Sequence, residues 1–153
     1  MDRVKERIAI VTGGAQGLGK AISMRLAEEG AYVNIFDVGD AEPTAKEIRD
    51  AGFQAKSYTV NVAKHEEVES AVQTVINDLG RVDILVNNAG VVSAHENLLT
   101  VTNEIWDREI AIDLTGTFYC CRAVLGQMIE QQYGKIINIS SIAADTGRPQ
   151  TSP

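Results

Sequence analysis

Two hydrophobic periods alternate along the chain. Short, β-branched runs occupy 7–12 (RIAIVT), 31–38 (AYVNIFDV), 55–62 (AKSYTVNV), 82–90 (VDILVNNAG) and 135–141 (KIINISS). Several are nearly continuous in apolar residues, the pattern of strands covered on both faces. Between them the apolar positions follow a helical period. Across 63–79, Val68, Ala71, Val72, Val75, Ile76 and Leu79 make one stripe. After the first strand, Leu18, Ala21, Ile22 and Leu26 share a helix face. Asp40 as cap and Pro43 in the first turn mark a short helix over 40–51. A long helical stretch runs from about 102 to 133, with Gly116 as its weak point. Gly30, Gly52, Gly80 and Gly134 stand where left-handed C-caps close helices.

The order β-α-β-α-β-α-β-α-β predicts an α/β fold with a parallel sheet wound by right-handed crossovers. Ligands in that architecture bind beyond the carboxyl ends of the strands. A length of 153 residues, 44% hydrophobic, suits one well-cored domain rather than two. The formal charge of -7, with no Lys/Arg-rich run, argues against a nucleic-acid or membrane-surface partner. No apolar stretch is long enough to span a bilayer, and the N-terminus lacks a signal-peptide pattern, so the expected location is cytoplasmic. Cys120 and Cys121 are adjacent, without CxxC spacing, and read as inert helical thiols. His65 and His95 lack ligand spacing, so no metal site is expected.

The chemistry concentrates after the first strand, in TGGAQGLG from Thr12 to Gly19. Gly13, Gly17 and Gly19 give T-G-x-x-x-G-x-G running directly into a helix. A tight strand-to-helix turn needs φ freedom, and a pyrophosphate needs backbone N–H groups with no Cβ in the way. The helix N-terminus adds positive potential. The spacing is not G-x-G-x-x-G, and the G-K-[ST] ending of an NTPase loop is missing. An acid, Asp37, follows 18 residues after Gly19, at the end of the second strand. A carboxylate there accepts both adenosine ribose hydroxyls and repels a 2′-phosphate, and neither Gln16 nor Val38 is a cation that would rescue one. The expected cofactor is therefore NAD(H) rather than NADP(H).

With its further motifs, NNAG at Asn87–Gly90 and IINISS ending at Ser141, the chain resembles the short-chain dehydrogenase/reductase family over essentially all 153 residues. The resemblance implies a Rossmann-like, doubly wound parallel sheet, with residues 1–153 forming one NAD-binding domain. It implies that Gly13, Gln16, Gly17, Leu18 and Gly19 border the pyrophosphate and that Asp37 holds the ribose. Asn61 (where the family usually has Asp) and Val62 would flank the adenine. Asn87, Ala89 and Gly90 would line the cofactor cleft, with Asn87 also bracing the central strands. Ser141 would hydrogen-bond the substrate oxygen. Asp113 stands where the family has a catalytic Asn, whose backbone carbonyl helps hold a relay water; a helix-surface Asp is the plainer alternative.

The family's S-x12-Y-x3-K motif, counted from Ser141, puts its tyrosine at the residue after Pro153. The resemblance thus implies a truncated domain, incomplete at its C-terminal sheet edge. The strand 135–141 would be an exposed edge, and the apolar side of 117–133 would lack partners. The activity implied is NAD(H)-dependent hydride transfer interconverting a small secondary alcohol and a ketone, in a protein that is a homo-oligomer when complete. Two alternatives stand beside it. One is a catalytically inactive NAD-binding or subunit-interaction half-domain. The other is a methyltransferase on a similar sheet, in which NNAG and NISS have no role.

Overall fold

The computed structural model describes residues 2–92 and 98–142. Five strands, β1 Ile8–Thr12, β2 Tyr32–Asp37, β3 Gln54–Thr59, β4 Ile84–Asn87 and β5 Lys135–Asn138, form one sheet in the order β3-β2-β1-β4-β5. Every pairing is parallel. The crossovers carry α1 Gly17–Glu28, α2 Glu42–Asp50 and α3 His65–Leu79. The last crossover is α4 Asn103–Glu109, a π-helical segment Ile110–Gly116, and α5 Thr117–Glu130.

Alternation along the strands divides the core into two layers. Ile8, Ile10 and Leu85 face α3 and α5, meeting Val68, Val72, Val75, Cys120, Val124 and Met128. Ala9, Val11, Val33, Ile35, Ile84 and Val86 face the other way, toward Ala27, Ala45 and Ile48 of α1 and α2. All five residues of β1 are buried, which is why its run carries no polar alternation. At the amino end of the sheet, buried Asp83 accepts the Ile8 amide at 2.9 Å and pairs with Arg7 and Arg81. That carboxylate ties β1 to the start of β4.

Several sequence expectations are corrected. Each strand is shorter than its apolar run, and in β2, β3, β4 and β5 the carboxyl-terminal residues of the run leave the sheet. The stretch 102–133 is not one uniform helix. It widens into a π-helical turn that ends at Gly116, where an added Cβ would lie 2.9 Å from Val62 Cγ2. The helix before β5 is closed not by Gly134 but by Gln132, at φ 53, with the Tyr133 amide donating to the Met128 carbonyl. Gly134 serves close packing instead, since its Cβ would fall 2.4 Å from Met128 Sδ. Asp40 lies one residue before the N-cap of α2, Ala41, and accepts the Glu42 amide at 2.9 Å. On α1 the buried positions are Gly19, Ser23 and Ala27, while Leu18 and Ala21 are exposed. Gly30, Gly52 and Gly80 do take left-handed backbones at helix ends.

Candidate functional site

At the carboxyl end of the sheet lies a cleft of about 550 Å³. Gly13, Gln16, Gly17, Leu18 and Gly19 line one side of it. Gly13 and Gly17 have positive φ, 66° and 55°, which let the chain reverse from β1 into α1. A Cβ at Gly19 would sit 2.1 Å from the Gly13 carbonyl oxygen, so only glycine allows the turn to close this tightly. No side chain caps the N-terminus of α1; the N-cap residue Gln16 is extended and makes no capping bond. The first-turn N–H groups are left for an anion in the cleft. Leu18, 58% exposed, presents its side chain there rather than to the core.

The cleft continues past the end of β2. Asp37 Oδ2 accepts the Ala15 amide and Oδ1 the Gly39 amide, both at 2.9 Å. These bonds orient the carboxylate between the glycine loop and the turn after β2, and each oxygen keeps a lone pair for a further donor. Phe36, Val38, Val60, Asn61 and Val62 form the adjoining wall. Asn61 Oδ1 accepts the Ala63 amide at 3.0 Å, and the Asn61 amide donates to Glu67 at 2.9 Å. The Asn61 side chain thus shapes the turn after β3 as well as bordering the cleft.

The loop after β4 supplies the opposite wall through Asn88, Ala89, Gly90 and Val91. Asn87 takes the bracing position expected of it, between β4 and β5, but not the cleft-lining one. It is 5% exposed, does not line the cleft, and directs its amide nitrogen to Asn138 Oδ1 at 2.9 Å and Cys121 Sγ at 3.3 Å. The pleat explains this, since Asn87 shares its face with Leu85 and points to α5. Asn88, which the sequence reading passed over, points the other way. Its amide donates to the Thr12 and Gly13 carbonyls, each at 3.0 Å. Thr12 Oγ1 in turn accepts the Asn88 and Ala89 amides at 3.0 Å. Glycine loop and NNAG loop are therefore one hydrogen-bonded unit. The pleat rule applied to NNAG would have distinguished the two asparagines. Arg108 and Ile112, which also line the cleft, carry no signal in the sequence alone.

Asp113 sits within the π-helical segment. The residue is exposed, and its Oδ1 accepts the Val91 amide at 2.9 Å. Burial pushes its carboxyl up from the ordinary value, the Val91 amide pulls it down, and Glu109 four residues earlier adds upward pressure. Its backbone carbonyl accepts the Thr117 hydroxyl at 2.9 Å. Ser141 is exposed, three residues past β5. The Ile139 amide donates to the Asn87 carbonyl, so parallel pairing carries Ser141 to the same end of the sheet as the Asn88–Gly90 loop. Ser141 is not among the residues lining the cleft.

Cys120 is buried and its thiol is pushed up to about 12 by burial and by Cys121, so it is inert at neutral pH. His65 pairs with Glu69 and lies against Tyr119, while His95 falls outside the described residues. Among the described residues no metal-binding cluster occurs, and no helix is long and apolar enough to cross a membrane.

A parallel sheet in the order 3-2-1-4-5, with a glycine loop opening α1 and an acid ending β2, defines a Rossmann-like nucleotide-binding fold. The chain belongs to the short chain dehydrogenase family, whose sequence model matches residues 7–153. It is 39% identical over 145 residues to a 3-oxoacyl-[acyl-carrier-protein] reductase FabG of Staphylococcus epidermidis, covering 92% of this chain and 59% of that protein. It is also 39% identical over 151 residues to the (2S)-[(R)-hydroxy(phenyl)methyl]succinyl-CoA dehydrogenase subunit BbsD of Thauera aromatica, covering 97% and 60% respectively. The crystal structure of an NAD+-bound xylitol dehydrogenase superposes with a TM-score of 0.92 at 35% identity, over 97% of this chain and 58% of that one. The chain thus spans about three fifths of the length of the relatives it matches.

Proposed function

We propose that the cleft binds NAD(H) and that the protein interconverts a secondary alcohol and a ketone. The observation that carries the cofactor choice is Asp37, held by two backbone amides at the rim of the cleft. A fixed carboxylate favours two ribose hydroxyls and disfavours a 2′-phosphate. The residues fit the dinucleotide. The glycine turn makes a cradle that a Cβ at Gly19 would fill, and the uncapped N-terminus of α1 offers donors for the pyrophosphate. Asn61, Val62 and Ile112 would flank the adenine, and Ala89 and Gly90 the middle of the cofactor. When bound, NAD(H) supplies or accepts the hydride at its nicotinamide ring. Ser141 would donate a hydrogen bond to the substrate oxygen and orient it; no described residue is assigned the proton transfer.

On this reading the protein works in the cytoplasm as a homo-oligomer on a small-molecule substrate, with Phe118, Leu125 and Ile129 giving α5 an exposed apolar face for association.

The test is calorimetric titration of the full-length protein with NADH and with NADPH. NADH should bind at least about tenfold more tightly, and Asp37→Ser should lose most of that preference, each tenfold being roughly 1.4 kcal/mol. Equal affinities in the wild type, or tighter NADPH binding, would refute the cofactor assignment.

A further inference from the structure

Among the described residues, every arginine but one has a partner for its guanidinium. Arg3 and Arg25 pair with Glu29, Arg7 and Arg81 with Asp83, and Arg49 with Glu42. Arg122 lies over the Phe118 ring, 5.0 Å from its centroid. Arg108 has neither a carboxylate nor a ring among the described residues, although the chain is strongly acidic. Glu104, one helical turn earlier, is spaced for an ion pair with it. The Thr102 hydroxyl takes that carboxylate instead and holds it below its usual range.

The unpaired arginine is exposed on α4 and lines the cleft. Ile112, four residues later and on the same helical face, lines it too. Ile112 belongs with Asn61 and Val62 to the end of the cleft that the cofactor reading gives to adenine. The walls there are aliphatic or amide side chains. Phe36, the one aromatic residue of the lining, is fully buried and edge-on to Tyr58. A purine entering this end finds apolar cover but no accessible ring to stack on. The lining carries only two charged groups, Asp37 and Arg108. Asp37 is held by two backbone amides, and the pyrophosphate has its donors at the N-terminus of α1. The base is the part of the dinucleotide left without a planar partner, and Arg108 is the group left without a bond.

We infer that Arg108 binds the adenine base, its guanidinium lying flat over the purine that Asn61, Val62 and Ile112 flank. The inference rests on the NAD(H) reading. A guanidinium is planar, delocalised and weakly hydrated, so it stacks on a π face as an ammonium does not. Having no ion pair to break, Arg108 loses no bond within the described structure when it moves onto the base. It therefore reads the adenosine half of the cofactor and is indifferent to the nicotinamide half.

The experiment titrates the full-length wild type, Arg108→Ala and Arg108→Lys with three probes. These are NADH, AMP, which carries the base, and reduced nicotinamide mononucleotide, which lacks it. Arg108→Ala should weaken NADH and AMP by roughly three- to thirtyfold, the range of a cation over a π face. It should leave the mononucleotide unchanged. Arg108→Lys keeps the charge without the plane and should lose nearly as much as Arg108→Ala. Both variants should melt with the wild type, because the side chain is exposed and unbonded. Wild-type affinity of Arg108→Ala for NADH and AMP would overturn the inference. So would an equal loss on the mononucleotide, the mark of general attraction for anions, or full affinity in Arg108→Lys, the mark of charge alone. Any of these with a wild type that binds NADH would leave the NAD(H) reading standing. A wild type that bound neither NADH nor AMP would refute that reading and the inference with it.

Discussion

Gly19 and Gly17 stand two residues apart in the same loop and carry different constraints. At Gly19 a Cβ would meet the Gly13 carbonyl oxygen at 2.1 Å and Asn88 Nδ2 at 2.5 Å. These atoms form the bond that joins the two loops of the cleft. At Gly17 nothing lies within 4 Å, and the constraint is only its φ of 55°. Gly19→Ala should therefore cost about 1–3 kcal/mol of overpacking, because the clash is with backbone that cannot rotate away. It should also abolish measurable NADH binding. Gly17→Ala should cost about 1–2 kcal/mol of left-handed strain without displacing Asn88. Urea unfolding with NADH titration of each variant checks the contrast; equal binding by the two would show that the loops are not coupled through Asn88. At this scale the sequence announced the glycines and Asp37, because backbone freedom and a terminal carboxylate are visible in residue type. It did not separate Asn87 from Asn88, because their roles depend on which face of β4 each occupies.

Helix ends show where sequence signals stop sufficing. Gly30, Gly52 and Gly80 close helices in the left-handed conformation that glycine favours, and all three were legible. The end of α5 was misread because two demands compete there. Gly134 is required where the chain passes Met128, within 2.4 Å of a Cβ, so glycine went to the close approach. The left-handed position fell two residues earlier, on Gln132. A non-glycine residue in that conformation costs roughly 1–2 kcal/mol. Gln132→Gly should accordingly stabilise the fold by about 1 kcal/mol, read as a raised urea midpoint at unchanged slope. A neutral or destabilising result would mean that the exposed Gln132 side chain contributes more than its backbone strain costs. In the last crossover the sequence marked Gly116 as the weak point, where the π-helical segment ends, but not the widening itself. Its apolar residues fit a helical period, and the contacts that accompany the widening, Gly116 against Val62 and the Val91 amide on Asp113, come from elsewhere in the chain.

For the whole molecule, the alternation of strand and helix periods sufficed to read a parallel sheet, since strands buried on both faces have no polar stripe to hide them. The open edge at the last strand was an expectation of the family resemblance, not of the alternation. All four residues of β5 are exposed, Ile136 and Ile137 at 38% and 42%, and Ile139 just past the strand is at 41%. Only β4 pairs with β5 among the described residues, so its outer side presents unpaired amides and carbonyls beside apolar side chains. That combination templates strand addition. A second apolar surface, Phe118, Leu125 and Ile129 on α5, competes for the same role at 54%, 48% and 66% exposure. The two make different predictions for the 153-residue chain expressed as such. Net charge of -7 opposes any association, so raising salt should promote it through either surface. If the strand edge dominates, Ile137→Lys should suppress the salt-induced rise in light scattering, because a charge on an edge strand blocks further pairing. Its cost to folding should be small, within about 0.5 kcal/mol, because the position is already exposed. Phe118→Lys should leave the scattering as it was. The reverse pattern, with Phe118→Lys protective and Ile137→Lys ineffective, would place the association on α5 and sink the edge-strand account.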